Sequence, residues 1–282
     1  MQAQDVITRR TEFRRLHESG CFVIPNPWDA GTARYLRGLG FKALATTSAG
    51  FAFSRGLPDG QSGVPLDAML AHFADIAESV DLPVNADFMG AYAVEPEGVA
   101  YNVKLCAATG VAGLSVEDST GDRELPLCDF SLAVERVRAA HEALRDSGAL
   151  LVARAECFLV GVAEPLRESI RRLQAYAEAG ADVLYAPGPT KREDIRAIVE
   201  AVAPKPVNVL LASNAGLTVA DLEQLGARRV SVGWSFARAA WTGFIHAAKE
   251  LAEHGSASGF EGLVPHGELN GIFAGYQERS RR

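Results

Sequence analysis

Acidic side chains collect at the ends of three consecutive apolar runs, and one arginine stands among them. LPVNAD (82–87) carries Asn85 and Asp87, VAGLSVED (111–118) ends in Glu117 and Asp118, and ALLVARAE (149–156) in Arg154 and Glu156. Asn85 and Asp87 are two positions apart, so on an extended strand they share a face. If the runs are neighbouring strands, Asp87 and Glu117 stand about 5 Å apart, and like charges that close require something positive between them. Ligands made only of oxygen point to a hard cation, Mg²⁺ or Mn²⁺. Arg154 is the only Arg or Lys at the end of a run, and its planar fork suits a substrate carboxylate or a developing enolate oxygen. Each group also has an ordinary use: an acid caps the following helix, and Arg154 pairs with Glu117 or Glu156.

Other polar residues share this placement: Asn26 and Asp29, Thr47 and Ser48, Asn208 and Ser231. The stretch ATTSAGFAFSRGLPDG (45–60) reads as a loop in which Ser48, Ala49 and Gly50 leave backbone N–H groups for an anionic oxygen, with Asp59 near its end. The bland alternative is a plain crossover. Absences narrow the chemistry. The lysines (42, 104, 191, 205, 249) fall on helices or at strand starts, where no Schiff base would form. The six histidines fall on helices or in the tail, which excludes a histidine-rich zinc site. Cys21, Cys106, Cys128 and Cys157 form no CxxC pair, so reduced thiols are expected; Cys128, Tyr92 and Asp59 are the candidate proton donors.

What must position these groups is a regular beat of short apolar runs and amphipathic stretches. After a helix at 8–19 come CFVIP (21–25), KALATT (42–47), the three acidic runs, ADVLYAP (181–187), KPVNVLLA (205–212) and RRVSVG (228–233), with helical stretches between and a last helix at about 235–253. The runs are continuously apolar, as a parallel sheet buried on both faces requires. Eight alternations without a break in composition predict a (β/α)8 barrel over residues 1–253, with a doubly wound open sheet as the alternative. No GxGxxG follows the first run and there is no GxxxxGK[ST], so nucleotide-binding open sheets lose support. Residues 254–282 read as an accessory helical tail. With 28 Lys plus Arg against 35 Asp plus Glu, net charge -7, and no apolar span of membrane length, neither nucleic acid nor membrane is the expected partner. A small molecule and a cytoplasmic location are expected.

On NPWDAGTARYLRGLGFKALATTSAGFAFSRGLPDG, PVNADFMGAY, GVAGLSVEDSTGD, LVARAECFLVG and YAEAGADVLYAPG, the chain resembles the isocitrate lyase and phosphoenolpyruvate mutase superfamily from about residue 8 to 250. The resemblance implies a barrel, a homotetramer whose C-terminal helix swaps between neighbours, and a Mg²⁺ site for 2-oxo acids or their enolates. By position, Ser48, Ala49 and Gly50 match the segment that binds the substrate carboxylate, Asp59 an acid of the loop after the second strand, and Arg154 the substrate arginine. Asn85, Asp87 and Glu117 take the metal positions, and Asn208 joins the substrate-binding candidates. Much of the family has DxD where this chain has Asn85 and Asp87, and Met89 stands where related members carry a further acid. The KKCGH-like loop of the isocitrate-type lyases is replaced by STGDRELPLCDF, with Cys128 out of register. The mutase gating loop is also missing, although VARAECFLVG is similar to the mutase version of strand five. The implied activity is carbon–carbon cleavage or decarboxylation of a small 2-oxo or 2-hydroxy (di)carboxylate. Phosphorus–carbon chemistry of the phosphoenolpyruvate mutase or phosphonopyruvate hydrolase type is the second implied activity, and a barrel retained for binding alone is the third reading.

Overall fold

A computed structural model describes residues 3–60 and 63–279. Among them, eight strands form one parallel sheet: β1 (Phe22–Ile24), β2 (Leu44–Ala45), β3 (Val84–Asp87), β4 (Gly113–Glu117), β5 (Leu150–Arg154), β6 (Val183–Tyr185), β7 (Val207–Leu210) and β8 (Arg229–Ser231). Pairing runs β2 to β8 in chain order, and β8 returns to β1. The seam between β1 and β2 carries one strand-like bond, Ala45 N–H to the Pro25 carbonyl (3.0 Å). Asn26 fastens the same seam: its amide donates to the Thr46 carbonyl, and its Oδ1 accepts from the N–H groups of Val232 and Gly233. The predicted (β/α)8 barrel is therefore what forms, nearly closed, and Asn26 serves its closure.

The helices are α1 (Ala3–Leu16), α2 (Ala30–Gly38), α3 (Ser48–Ser54), α4 (Leu66–Ser79), α5 (Pro96–Ala108), α6 (Phe130–Leu144), α7 (Pro165–Glu178), α8 (Arg192–Ala201), α9 (Val219–Gln224), α10 (Ser235–His254) and α11 (His266–Arg279). Helix α1 starts five residues earlier than its apolar spacing suggests and plugs the bottom of the barrel. Phe13 is fully buried there, edge-on to His17 and Phe22, while the Arg10 guanidinium donates to the carbonyls of Ala107, Val111 and Ser147. Gly113 admits this plug: a Cβ on it would lie 2.8 Å from the Phe13 ring.

Two expectations change. The stretch 45–60 is not all loop, because Thr47 caps α3 by accepting from Gly50 N–H at 3.2 Å. Asp29 is likewise a helix cap, closing a reciprocal capping box with Thr32. In the tail, α11 follows a short turn at Ser258–Phe260 and comes back to α2, where a Cβ on Gly38 would collide with the Tyr276 hydroxyl. The last tail residues, 280–282, lie outside the described residues.

Candidate active site

The carboxyl ends of β3, β4 and β5 open on a cavity of about 440 Å³, lined by Asp87 and Met89, Glu117, and Arg154 and Glu156 respectively. Ser48 from α3 and Asp59 from the loop after it complete one wall; Ser119, Thr120 and Gly121 form the rim. Strand register brings the acids together, since Glu117 pairs directly with Arg154 and Asp87 with Ser115 two residues below Glu117.

Arg154 is the hub. Its Nη1 donates to Asp87 Oδ1 at 2.7 Å and lies 3.2 Å from Glu117 Oε2, and its Nε donates to Glu156 Oε1 at 2.8 Å. The guanidinium sits 5.2 Å from the Tyr185 ring centre, a distance at which cation and ring attract. Asp87 Oδ2 accepts from both the N–H and the hydroxyl of Ser48, each at 3.0 Å. Glu117 Oε1 accepts from the Ser119 hydroxyl at 2.8 Å. The ordinary use foreseen for Arg154, a buried ion pair, is thus realised with Asp87 added to Glu117 and Glu156. It does not conflict with ligand binding, because the same guanidinium lines the cavity.

Burial dominates the electrostatics. It raises the Glu156 carboxyl to about 8, Arg154 pulling down while Glu117 and Asp118 push further up. Glu117 shifts upward too, from burial first and with Arg154 opposing. Burial alone would lower Arg154, but Glu156, Glu117 and Asp87 outweigh it and keep the guanidinium charged. Asp59 is raised by burial and by Asp87, against hydrogen bonds from Ser48 and Gly60. A carboxyl so placed holds its proton to higher pH than an exposed one.

Other expected site residues stand elsewhere. Asn85 faces inward two residues below Asp87; it does not line the cavity, and its Oδ1 is buried without a partner beside Gly113. Asn208 is buried under the site, donating to the Ser231 hydroxyl and accepting from Arg229 Nε. Gly50 N–H is taken by Thr47 and Ser48 N–H by Asp87, so of the three backbone donors expected to be free, two are occupied. Cys128 accepts from Arg136 at 2.8 Å and, like Tyr92, is absent from the cavity wall.

Several supporting contacts escaped the sequence reading because their signal is three-dimensional. Asp118 turns away from the cavity and accepts from Glu156 N–H, Arg172 and the Tyr176 hydroxyl at 2.9, 3.0 and 2.6 Å. Buried Arg136 holds the turn after β3 by donating to the carbonyls of Gly90 (2.6 Å) and Ala93 (3.2 Å). That turn has Met89, Ala91 and Tyr92 at φ values of 47, 58 and 55°, costly for side-chain-bearing residues. The rim is a small hairpin with Ser119 bridged to Leu127, whose Cys128 carbonyl is gripped by Arg172.

Residues 13–252 match the family model described as phosphoenolpyruvate phosphomutase. The chain belongs to the phosphoenolpyruvate mutase and isocitrate lyase superfamily. Within this superfamily it is similar to a solved protein of Burkholderia cenocepacia J2315 given only the broad designation lyase/mutase, with 44% identity, TM-score 0.90, and 96% of this chain and 97% of that one covered. The oxaloacetate decarboxylase of Paraburkholderia xenovorans (strain LB400) is 29% identical over 81% of this chain and 76% of its own. The solved 2,3-dimethylmalate lyase is 28% identical with TM-score 0.82, covering 94% of both chains. The superfamily thus contains lyases and a mutase, and its solved members share this barrel.

Does the wall of this superfamily cavity fit Mg²⁺? Among the described residues no three Asp, Glu, His or Cys side chains form a ready cage. Yet Asp87 and Glu117 converge on a single cationic nitrogen, Glu156 pairs with the same guanidinium, and Asp59 lines the same cavity. Mg²⁺ commonly takes one or two carboxylates and keeps water in its remaining positions. The donor set fits such a water-rich site.

Proposed function

We propose that this protein is a Mg²⁺- or Mn²⁺-dependent lyase that cleaves a carbon–carbon bond of a small 2-oxo or 2-hydroxy acid, by retro-aldol-type cleavage or decarboxylation, through an enolate. The observation that carries the reading is Arg154 standing between Asp87 and Glu117 in one cavity. The metal, held by Asp87 and Glu117, would supply Lewis-acid stabilisation of charge on the substrate oxygens. Arg154 donates to the substrate carboxylate, and Ser48 and Tyr185 hold Asp87 and the guanidinium in place. As negative charge develops on the enolate oxygen, the fixed guanidinium stabilises it more than it stabilises the ground state. Asp59, on the cavity wall with its carboxyl shifted upward, is the group suited to deliver the proton that ends the enolate.

Purified protein with Mg²⁺ is expected to consume one member of a panel of substituted malates, oxaloacetate and 4-hydroxy-2-oxo acids, and an Arg154→Ala variant that keeps full rate would sink the role of Arg154. A second reading, phosphorus–carbon cleavage or transfer, is supported by the match to the phosphomutase family model; phosphorus NMR on phosphonopyruvate separates it. Failure to bind either Mg²⁺ or oxalate would favour a barrel that only binds. The exposed apolar face of α10, with Trp241, Phe244 and Ile245 on its surface, supports a homo-oligomer, in line with the tetramer and swapped tail expected for the superfamily. Sedimentation would give its size. No described helix is long and apolar enough to cross a membrane.

A further inference from the structure

The cavity holds a marked imbalance of charge with a direct bearing on what enters it. Arg154 is the only cationic side chain on its wall among the described residues, and its Nη1 and Nε already meet acids. Whatever the protonation of Asp59, Glu117 and Glu156, no second positive group remains. The rest of the wall, apart from Asp59, is neutral: Ser48, Gly60, Ser119, Thr120 and Gly121, with Met89 and the 43% exposed Leu159. Arg123 is exposed on the hairpin between Asp122 and Glu124 and does not line the cavity.

We infer that the substrate of this site carries a single carboxylate, at its reacting end, and an uncharged remainder. This rests on the reading of the cavity as a 2-oxo acid site and narrows it. A carboxylate at the far end would be desolvated against Ser119, Met89 and Leu159 with no cation to meet it, and would feel the acids behind. Mg²⁺ held by Asp87 and Glu117 would not remove the difficulty, because both carboxylates stand beside Arg154 at the reacting end. An alkyl or hydroxyalkyl tail meets matching surface: Met89 and Leu159 for carbon, Ser119 for a hydroxyl. On this basis carbon–carbon cleavage of a monocarboxylate is favoured over decarboxylation of a dicarboxylate.

The test uses a matched pair. 2-Oxopentanoate and 2-oxoglutarate have the same five-carbon chain and differ only in a distal methyl or carboxylate. Titration calorimetry on the intact protein at fixed Mg²⁺ is expected to give about tenfold or tighter binding of 2-oxopentanoate, a gap that shrinks as salt screens the distal charge. Leu159→Arg, which adds a cation at the mouth, should narrow the gap by about tenfold. Equal or tighter binding of 2-oxoglutarate by the wild-type protein, or a gap insensitive to both salt and Leu159→Arg, overturns the inference. Oxalate separates the two levels: if it binds while 2-oxopentanoate does not, the single-carboxylate inference alone fails. If no acid binds, the 2-oxo acid reading fails with it.

Discussion

Replacing Arg154 by Met keeps most of the side-chain volume and removes the only charge that faces Asp87, Glu117 and Glu156 together. Arg154 is 12% exposed, and its partners are 19, 13 and 5% exposed, so solvent screens these pairs poorly. Removing one partner of a buried ion pair costs about 3–5 kcal/mol, because the other is left buried and uncompensated. The acids can relieve that cost by protonating, and the pH dependence therefore carries the diagnosis. In the wild-type fold Glu156 already titrates at about 8, above its unfolded value, so its ionisation opposes folding as pH rises from about 4.5 to 8. Without Arg154 the folded values of Glu117 and Glu156 move further up. The stability contributed by Arg154 is thus fully present at high pH and is lost as pH falls through the shifted values. Urea unfolding at fixed protein concentration should show a loss of about 3–5 kcal/mol at pH 8, shrinking by about 1–3 kcal/mol at pH 5.5. An equal loss at both values would assign the effect to packing against Tyr185 and refute the electrostatic account.

Burial lowers His17 to about 3 and His72 to about 4, so both stay neutral in the fold while the unfolded chain takes up protons below about 6.5. Each should cost about 2 kcal/mol of stability at pH 5, and His72→Phe, which keeps the stack on Phe51, should recover its share in acid denaturation curves. Asp118→Asn removes the more buried of the two carboxylates paired with Arg172, leaving it only Glu168, and loosens Glu156 N–H; a loss of about 3 kcal/mol in thermal unfolding is expected, and less than 1 kcal/mol would mean the network is slack. Arg136→Met frees the carbonyls of Gly90 and Ala93, and amide exchange across the turn 89–93 should accelerate while that of β7 and β8 stays unchanged.

The strands, their order and their polar ends were legible because a parallel barrel buries each strand on both sides, and only a continuous apolar run satisfies that. Arg154 stood out because a cation at the end of such a run has no bland surface explanation. Chemistry within one or two residues of a strand end was therefore readable. Asn85 and Asn208 were harder to place. A side chain two positions from the end keeps the same facing but sits one layer deeper, and sequence spacing does not say where the floor of the cavity lies. The stretch 45–60 was misread as loop throughout because Ser48 and Gly50 have weak helix preference; capping by Thr47 and burial of Phe51 override it.

Sequence by itself determined which residues could meet, since periodicity assigns Asp87, Glu117 and Arg154 to neighbouring strands of one pole. Only the tertiary structure decided their partners. Asp87 and Glu117 share Arg154 because strand register sets them within reach of one guanidinium, whereas Asp118, adjacent in sequence to Glu117, points the other way and is consumed by Arg172 and Tyr176. Alternation along a strand sends neighbours to opposite faces, and which face holds a cavity depends on closure of the whole barrel.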